Sequence, residues 1–430
     1  MSKVFYLLFI IIFLSACSLS KNSKFWSTSE KINQKRDLDQ KKNKREILAE
    51  KKSLSKEFNQ NLKVKIDDSF TENDVLNNYK NNSGRVSFDG ELQSISRYKF
   101  AKIKNFYQYD PAISFTDNDI IFFENKGSIL KFNENSKLIW KKNYYTKSEK
   151  KLNPVIQFAN NKKFLIAADN IAKYFMLDIE TGDLIWSKDN SAPFNSQIKI
   201  YKDKFFVVDF SNTLRCFSLK DGSELWNVVT QNSLIRSQKK LSIVIVKDKI
   251  FFNNSMGDIS AVDLNKGELL WQLPTQSSLI YESSFSLESS NIIADNDNLF
   301  FSNNKNQFFS IDINSGSFDW EAKINSSLKP VLVADTLFSV TEEGYLYLID
   351  KKNGNILRIT DIFDNFKIKK RDFIKPTGFV MGSNKIYLST SNGRLLVVDI
   401  ATGKTLLLLK IDNEKILRPI ISNNNLFVVK

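Results

Sequence analysis

The sequence predicts an all-β protein: an eight-bladed β-propeller of four-stranded antiparallel blades, preceded by a signal peptide and a polar tether. Three observations predict it. One phrase recurs, as "DIETGDLIW" from Asp178, "DLNKGELLW" from Asp263 and "DINSGSFDW" from Asp312, each with Gly four positions after Asp and Trp four beyond. Aligned on that Gly, the phrase ends at Trp140, Trp186, Trp226, Trp271 and Trp320, then at Arg358 and Leu407. The intervals are 46, 40, 45, 49, 38 and 49 residues, the length of a propeller blade. Between phrases the chain reads as strand, turn, strand, as in "KFFVVDFSNTLRCFSLKDGSELW" from Lys204, without the helical spacers of most solenoids. Finally, "ILRPIISNNNLFVVK" from Ile416 supplies two strands after the last phrase and the sequence ends. Two strands alone leave an exposed edge, which native sheets avoid. "GRVSFDGELQSISRYKFAKI" from Gly84 carries the strand and turn signals to complete that sheet, so both termini close the ring.

Taken in order, residues 1–16 form a lipoprotein signal peptide. The apolar run from Val4 to Leu14 rises only about 16 Å as a helix, too short for a bilayer core of about 30 Å, so it is a signal core and not a span. Leu14-Ser15-Ala16-Cys17 resembles the bacterial lipobox, which implies lipidation of Cys17 and a membrane-tethered, exported protein. Ser18, where an Asp tends to retain such proteins at the inner membrane, favours the outer membrane by the same resemblance. Residues 17–83 are the lipidated cysteine and a basic, flexible tether. Ile47, Leu54, Phe58 and Leu62 recur at spacings that fit one short amphipathic helix within it. Residues 84–430 are the propeller, with closing strands over 84–112 and the seven repeats plus the C-terminal half blade over 113–430.

Composition removes several chemistries. The chain has no histidine, the commonest general base and metal ligand near neutral pH. Its two cysteines, Cys17 and Cys216, allow no CxxC motif and no vicinal pair, which speaks against thiol-based metal or redox chemistry. The formal charge of +14 is unevenly spread: Lys31 to Lys65 holds 12 Lys/Arg against 5 Asp/Glu, half the excess. A solvated spacer accounts for that run more simply than a lipid-headgroup site does.

The repeated residues are architectural. Five equivalent tryptophans cannot face one ligand, but each can bury against the next blade. Gly182, Gly222, Gly267 and Gly316, which pair in the phrase with Trp186, Trp226, Trp271 and Trp320, supply the positive φ of a tight turn. No helix follows them, so none cradles a phosphate.

The Asp/Asn-rich turn with Gly and Trp resembles the repeat of pyrroloquinoline-quinone-type propellers from about Ile113 to Lys430. With the lipobox, the chain is similar to the BamB family of outer-membrane assembly lipoproteins. That resemblance implies an eight-bladed periplasmic scaffold at the outer membrane, which binds the central barrel assembly subunit through its periplasmic domains, with no cofactor and no reaction. It also implies two contact loops: "NSLIRSQ" offers Leu234, Ile235 and Arg236, and "SFSLESS" offers Glu288 at an acidic position. The family's second loop carries two Asp where this chain has Ser286 and Glu288. An apolar pair beside an exposed Arg suits an interface hot spot. Two other readings stand beside this one: a scaffold for a different envelope partner, and a quinoprotein dehydrogenase, whose vicinal disulfide these cysteines cannot form. The long basic tether has no counterpart in the resemblance.

Overall fold

Runs of aromatic and β-branched residues too short for a helix form strands that are buried on both faces. The strand Lys204–Val208 is buried at four of its five positions. Such strands require neighbours above and below, and the fold supplies them as radially packed sheets. The computed structural model describes residues 56–64, 70, 84–90, 92–93, 96–103, 113–116, 118–230, 239–275 and 287–430. Among these, seven four-stranded antiparallel sheets follow one another in chain order: Ser114–Lys142, Ile156–Asp189, Lys199–Val229, Ile243–Leu273, Ile293–Ala322, Val331–Asp361 and Pro376–Lys410. We number them blades 1 to 7. A two-stranded sheet, Ile420–Ser422 with Asn425–Phe427, comes last.

Each blade carries the same irregularity. The third and fourth strands slip by one residue just before the repeat Trp: in blade 2, Trp186 lies opposite Met176 while Leu184 lies opposite Leu177, leaving Ile185 as the extra residue. A bulge breaks the two-residue alternation. Leu184 and Ile185 therefore both point outward, 42% and 43% exposed, and the indole turns inward against the next blade.

Hydrophobic clusters join the blades in sequence. Tyr174 and Met176 of blade 2 pack with Phe205 and Phe217 of blade 3, and equivalent clusters join blades 3 to 4, 4 to 5, 5 to 6 and 6 to 7. Val380, Tyr387 and Leu395 of blade 7 then meet Ile421 together with Val86 and Phe88. On its other side the last sheet reaches blade 1, where Leu417 and Phe427 join Phe115, Ile120 and Phe122, with Tyr98 and Phe100 alongside. The two-stranded sheet and the segment from Arg85 to Ile103 thus fill the place between blade 7 and blade 1, so the packing closes on itself. The described residues of that segment run alongside without forming strands. The Val86 N–H donates to the Met381 carbonyl (3.0 Å), and the Ala101 N–H to Glu124 (3.1 Å).

One local expectation is corrected. Of the four residues at helical spacing, Ile47 and Leu54 lie outside the described residues; residues 56–64, which hold Phe58 and Leu62, form no helix but turn over Asn59–Leu62, and Phe58 bridges Ile359 in the outer strand of blade 6. The open edge of that strand offers unpaired backbone groups, and these compete successfully with a helix that has few apolar partners of its own.

Candidate interaction surface

The repeat phrase builds a socket between blades and not within one. Gly182 does not meet Trp186 of its own phrase; it lies under Trp140 of the preceding blade, so close that a Cβ there would come within 2.8 Å of the ring. The same relation joins Gly222 to Trp186, Gly267 to Trp226, Gly316 to Trp271 and Gly354 to Trp320. The indole N–H of Trp140 donates to the Ile179 carbonyl (3.3 Å), and those of Trp186, Trp271 and Trp320 do likewise to Leu219, Ile313 and Lys351. Blade 1 shows why the residue is Gly. Its corresponding turn has Ser136 at φ +61, with no repeat Trp before it. Positive φ alone tolerates a side chain there; the indole overhead does not.

Blade 6 changes the socket. Arg358 replaces Trp and is fully buried, with Gly403 of blade 7 beneath it. Its guanidinium donates to the Ile400 carbonyl (3.0 Å), to the Ala401 carbonyl and to the Leu62 carbonyl (2.8 Å). Burial pulls its pKa down, opposed only by the field of Asp399.

The blade-to-blade connections and the hairpins between second and third strands share one face, joined by the bridges Phe194 to Asp209 and Ser289 to Asn303. The connections include those after Val229 and Leu273, of which the second, over 274–292, is the longest between blades. Leu234, Ile235 and Arg236 lie outside the described residues. Glu288 is described and exposed; its N–H donates to Asn304 Oδ1 (3.0 Å) and its carbonyl accepts the Asn304 N–H (3.1 Å). Nearby, Glu342 is half-buried and its pKa is raised by burial, a rise that Lys375 opposes and the charges of Glu288 and Glu343 reinforce. Glu343 accepts from Asn325 (2.8 Å), and the Lys239 ammonium donates to the Ser327 carbonyl. Glu288 thus belongs to an acidic group spanning blades 5 and 6, edged by Lys239 and Lys375. Sequence reading missed Glu342 and Glu343, because hairpin residues outside the repeat phrase give no periodic signal.

Buried polar residues elsewhere serve turns. Asp169 accepts the Ile171 and Lys173 N–H groups (both 2.9 Å) and the Tyr145 hydroxyl (2.6 Å), and burial raises its pKa to about 6. Cys216 is fully buried and its thiol is pushed up to about 12 by burial. Among the described residues, no group of three His, Cys, Asp or Glu side chains is placed to hold a metal ion.

Comparison with known proteins gives a family and a fold. The family model described as "Outer membrane protein assembly factor BamB" matches residues 125–360, more than half the chain. The structure is similar to BamB from Moraxella catarrhalis, with a TM-score of 0.61 at 16% identity over 74% of this chain and 92% of that one. A computationally designed protein, Ika8, matches with a TM-score of 0.57 at 12% identity over 77% of this chain and 96% of its own. A quinohemoprotein alcohol dehydrogenase from Pseudomonas putida matches with a TM-score of 0.56 at 12% identity, over 77% of this chain and 70% of its own. At these identities the structural matches carry the fold alone. No curated protein sequence matches.

Proposed function

Because the chain belongs to the family of the outer membrane protein assembly factor BamB, we propose that it is a non-catalytic scaffold of the outer-membrane β-barrel assembly machinery. In this reading Cys17 is lipidated and anchors the protein to the outer membrane, facing the periplasm. The propeller binds the periplasmic domains of the central barrel subunit and aids insertion of outer-membrane proteins. The family match over residues 125–360 carries the proposal. Glu288, the described member of the expected contact residues, agrees with it: it is exposed beside Glu342 and Glu343, and such a carboxylate group offers polar complementarity to a partner. The quinohemoprotein match favours an enzyme on fold alone, and fold does not fix function. The chain's two cysteines, Cys17 and Cys216, oppose that reading, since they cannot form a vicinal disulfide.

A photocrosslinker at Leu234 or Arg236 tests the proposal in cells. It should capture the barrel assembly subunit, whereas one at Trp186, half-buried between blades, should not. Charge reversal at Arg236 should weaken the complex by about 2 kcal/mol or more if the site is desolvated, and porin levels should fall at unchanged lipoprotein abundance. Capture of an unrelated envelope protein with porins unaffected would refute the assembly role. For the anchor, a fatty-acid probe should label the wild type and not Cys17→Ala.

A further inference from the structure

We propose that the outer edge of blade 6 is a binding site for a peptide segment, that its ligand is this chain's own residues 57–64, and that Arg358 selects it. The site is built from three kinds of contact. Backbone pairing comes first: Phe58 and Ile359 exchange both N–H to carbonyl bonds (3.1 and 3.0 Å), and the Val64 N–H reaches the Ala401 carbonyl (3.3 Å). Side chains add direction, since Asn59 donates to the Leu357 carbonyl (3.1 Å) and Glu57 accepts the Asp361 N–H (3.2 Å). The third contact is the guanidinium of Arg358, which holds the Leu62 carbonyl while it also binds the two carbonyls of the blade 7 turn.

Arg358 is what distinguishes this edge from the others. A Trp has one N–H, and in the sockets of Trp186 and Trp320 that donor is spent on the next blade's turn. Arginine carries five donors in a planar fork. It can satisfy the turn and still present a buried N–H toward the rim, where the segment supplies a carbonyl. No carboxylate forms an ion pair with it among the described residues, so backbone carbonyls compensate its charge. The cover is visible in the apolar pair made by the bulge: Leu184 and Ile185 of blade 2, and Leu269 and Leu270 of blade 4, are exposed, while Ile356 and Leu357 of blade 6 are half-buried. Val64 packs onto the cluster between blades 6 and 7.

The direction of the segment has a consequence. Glu57 lies at Asp361, where the chain leaves blade 6 toward the connections, and Val64 lies at the 399–404 turn on the opposite face. Residues 57–64 therefore cross the blade 6 edge from its connection end toward the blade 7 turn. This inference rests on the blade 6 edge and the adjoining blade 7 turn and is independent of the assembly role.

Amide hydrogen exchange on the full chain, resolved to single residues, tests it. In the wild type the Phe58, Val64 and Ile359 amides should each be protected at least about tenfold. Arg358→Trp restores the residue of the other sockets, so it should strip protection from all three while Ile349, inside the same blade, keeps its own. Phe58→Pro removes the N–H at an exposed position and should release Val64 and Ile359 together. Unprotected Phe58 and Val64 in the wild type would overturn the proposal, and so would full protection in Arg358→Trp. If Arg358→Trp fails to fold, Phe58→Pro decides: retained protection at Val64 and Ile359 would show that no single docked segment exists.

Discussion

Blades 1 to 5 and blade 6 use the same backbone for different ends. In the former, a Trp from the outer strand lies over a Gly of the next blade and closes the seam with rigid apolar surface. In blade 6 the same position holds Arg358, and the seam is closed by hydrogen bonds that also catch a segment from about 300 residues earlier in the chain. The difference teaches that the repeat specifies a socket, and that the side chain filling it decides whether the rim is finished or left able to bind. Blade 7 marks a third case. Leu407 stands in the Trp position and is half exposed, and the two-stranded sheet that follows has no corresponding turn to cover.

The largest way to break the comparison is to empty one socket of each kind. Trp140→Ala should lower unfolding free energy by about 3 kcal/mol, because a buried indole leaves a cavity between two sheets. Arg358→Ala should lower it by less, about 1 to 2 kcal/mol, since it removes hydrogen bonds more than packing and water can replace part of them. Denaturant titration of both variants gives the order, and a larger loss at Arg358 would reverse the assignment of roles.

Protons load one side of the comparison without touching the other. Tyr145 and Asp169 belong to the seam between blades 1 and 2 that Trp140 closes. Burial raises Asp169 from 3.8 to about 6, so between roughly those two values the folded state holds a proton that the unfolded state has lost. Stability from this group is therefore present below pH 4, falls as pH rises to about 6, and stays lowered above it, by about 3 kcal/mol in all. Asp169→Asn should remove that slope. Asparagine suits the site: in the equivalent turn of blade 4, Asn254 accepts the Met256 and Asp258 N–H groups. An unchanged slope in melts from pH 4 to 7 would assign the titration elsewhere.

Glycine offers a finer contrast. A Cβ at Gly182 meets the fixed indole of Trp140, whereas one at Gly403 meets the Thr360 hydroxyl and the end of the Arg358 side chain. Both sites have φ near +70 and share that strain. Gly182→Ala should cost about 2 kcal/mol and Gly403→Ala about 1, because the Thr360 hydroxyl nearest the new Cβ can rotate where a ring cannot. Equal losses in thermal melts would mean that φ alone sets the requirement.

Much of this was legible from residues. Strand runs, the blade-length interval and the two orphan strands at Ile416 lead to a ring of repeated sheets, because period-two burial and turn chemistry are local. The partners inside the socket were not legible. Gly182 reads as a turn residue, and nothing in its own phrase says that Trp140, 42 positions earlier, lies above it. Arg358 was visible as a gap in the Trp column, yet its ligand was hidden in a basic segment whose spacing fits a helix. Edge pairing with Ile359 is a long-range contact that periodicity cannot encode. The acidic group of Glu288, Glu342 and Glu343 is assembled by the ring from two blades, so no motif announces it.

The smallest expected effect on stability is the sharpest for the comparison. Arg358→Trp converts the exceptional socket into the common one, and the ring should tolerate it within about 1 kcal/mol, in either direction. The reason is a balance. Trp brings packing surface and one N–H for the Ile400 carbonyl, and it removes a buried cation that no ion pair compensates; replacing such charges with apolar groups is often neutral or stabilising. Against that, the Ala401 and Leu62 carbonyls lose a donor. Leu348 lies opposite position 358 much as Met176 lies opposite Trp186, so the indole meets a side chain of familiar size. Gly403 already has the φ and the missing Cβ that the other sockets use. A melting temperature close to wild type, measured on the same protein that has lost protection at Phe58 and Val64, would separate closing the ring from holding the segment. A loss of several kcal/mol would instead make Arg358 a structural keystone of the seam, and the segment a passenger on it.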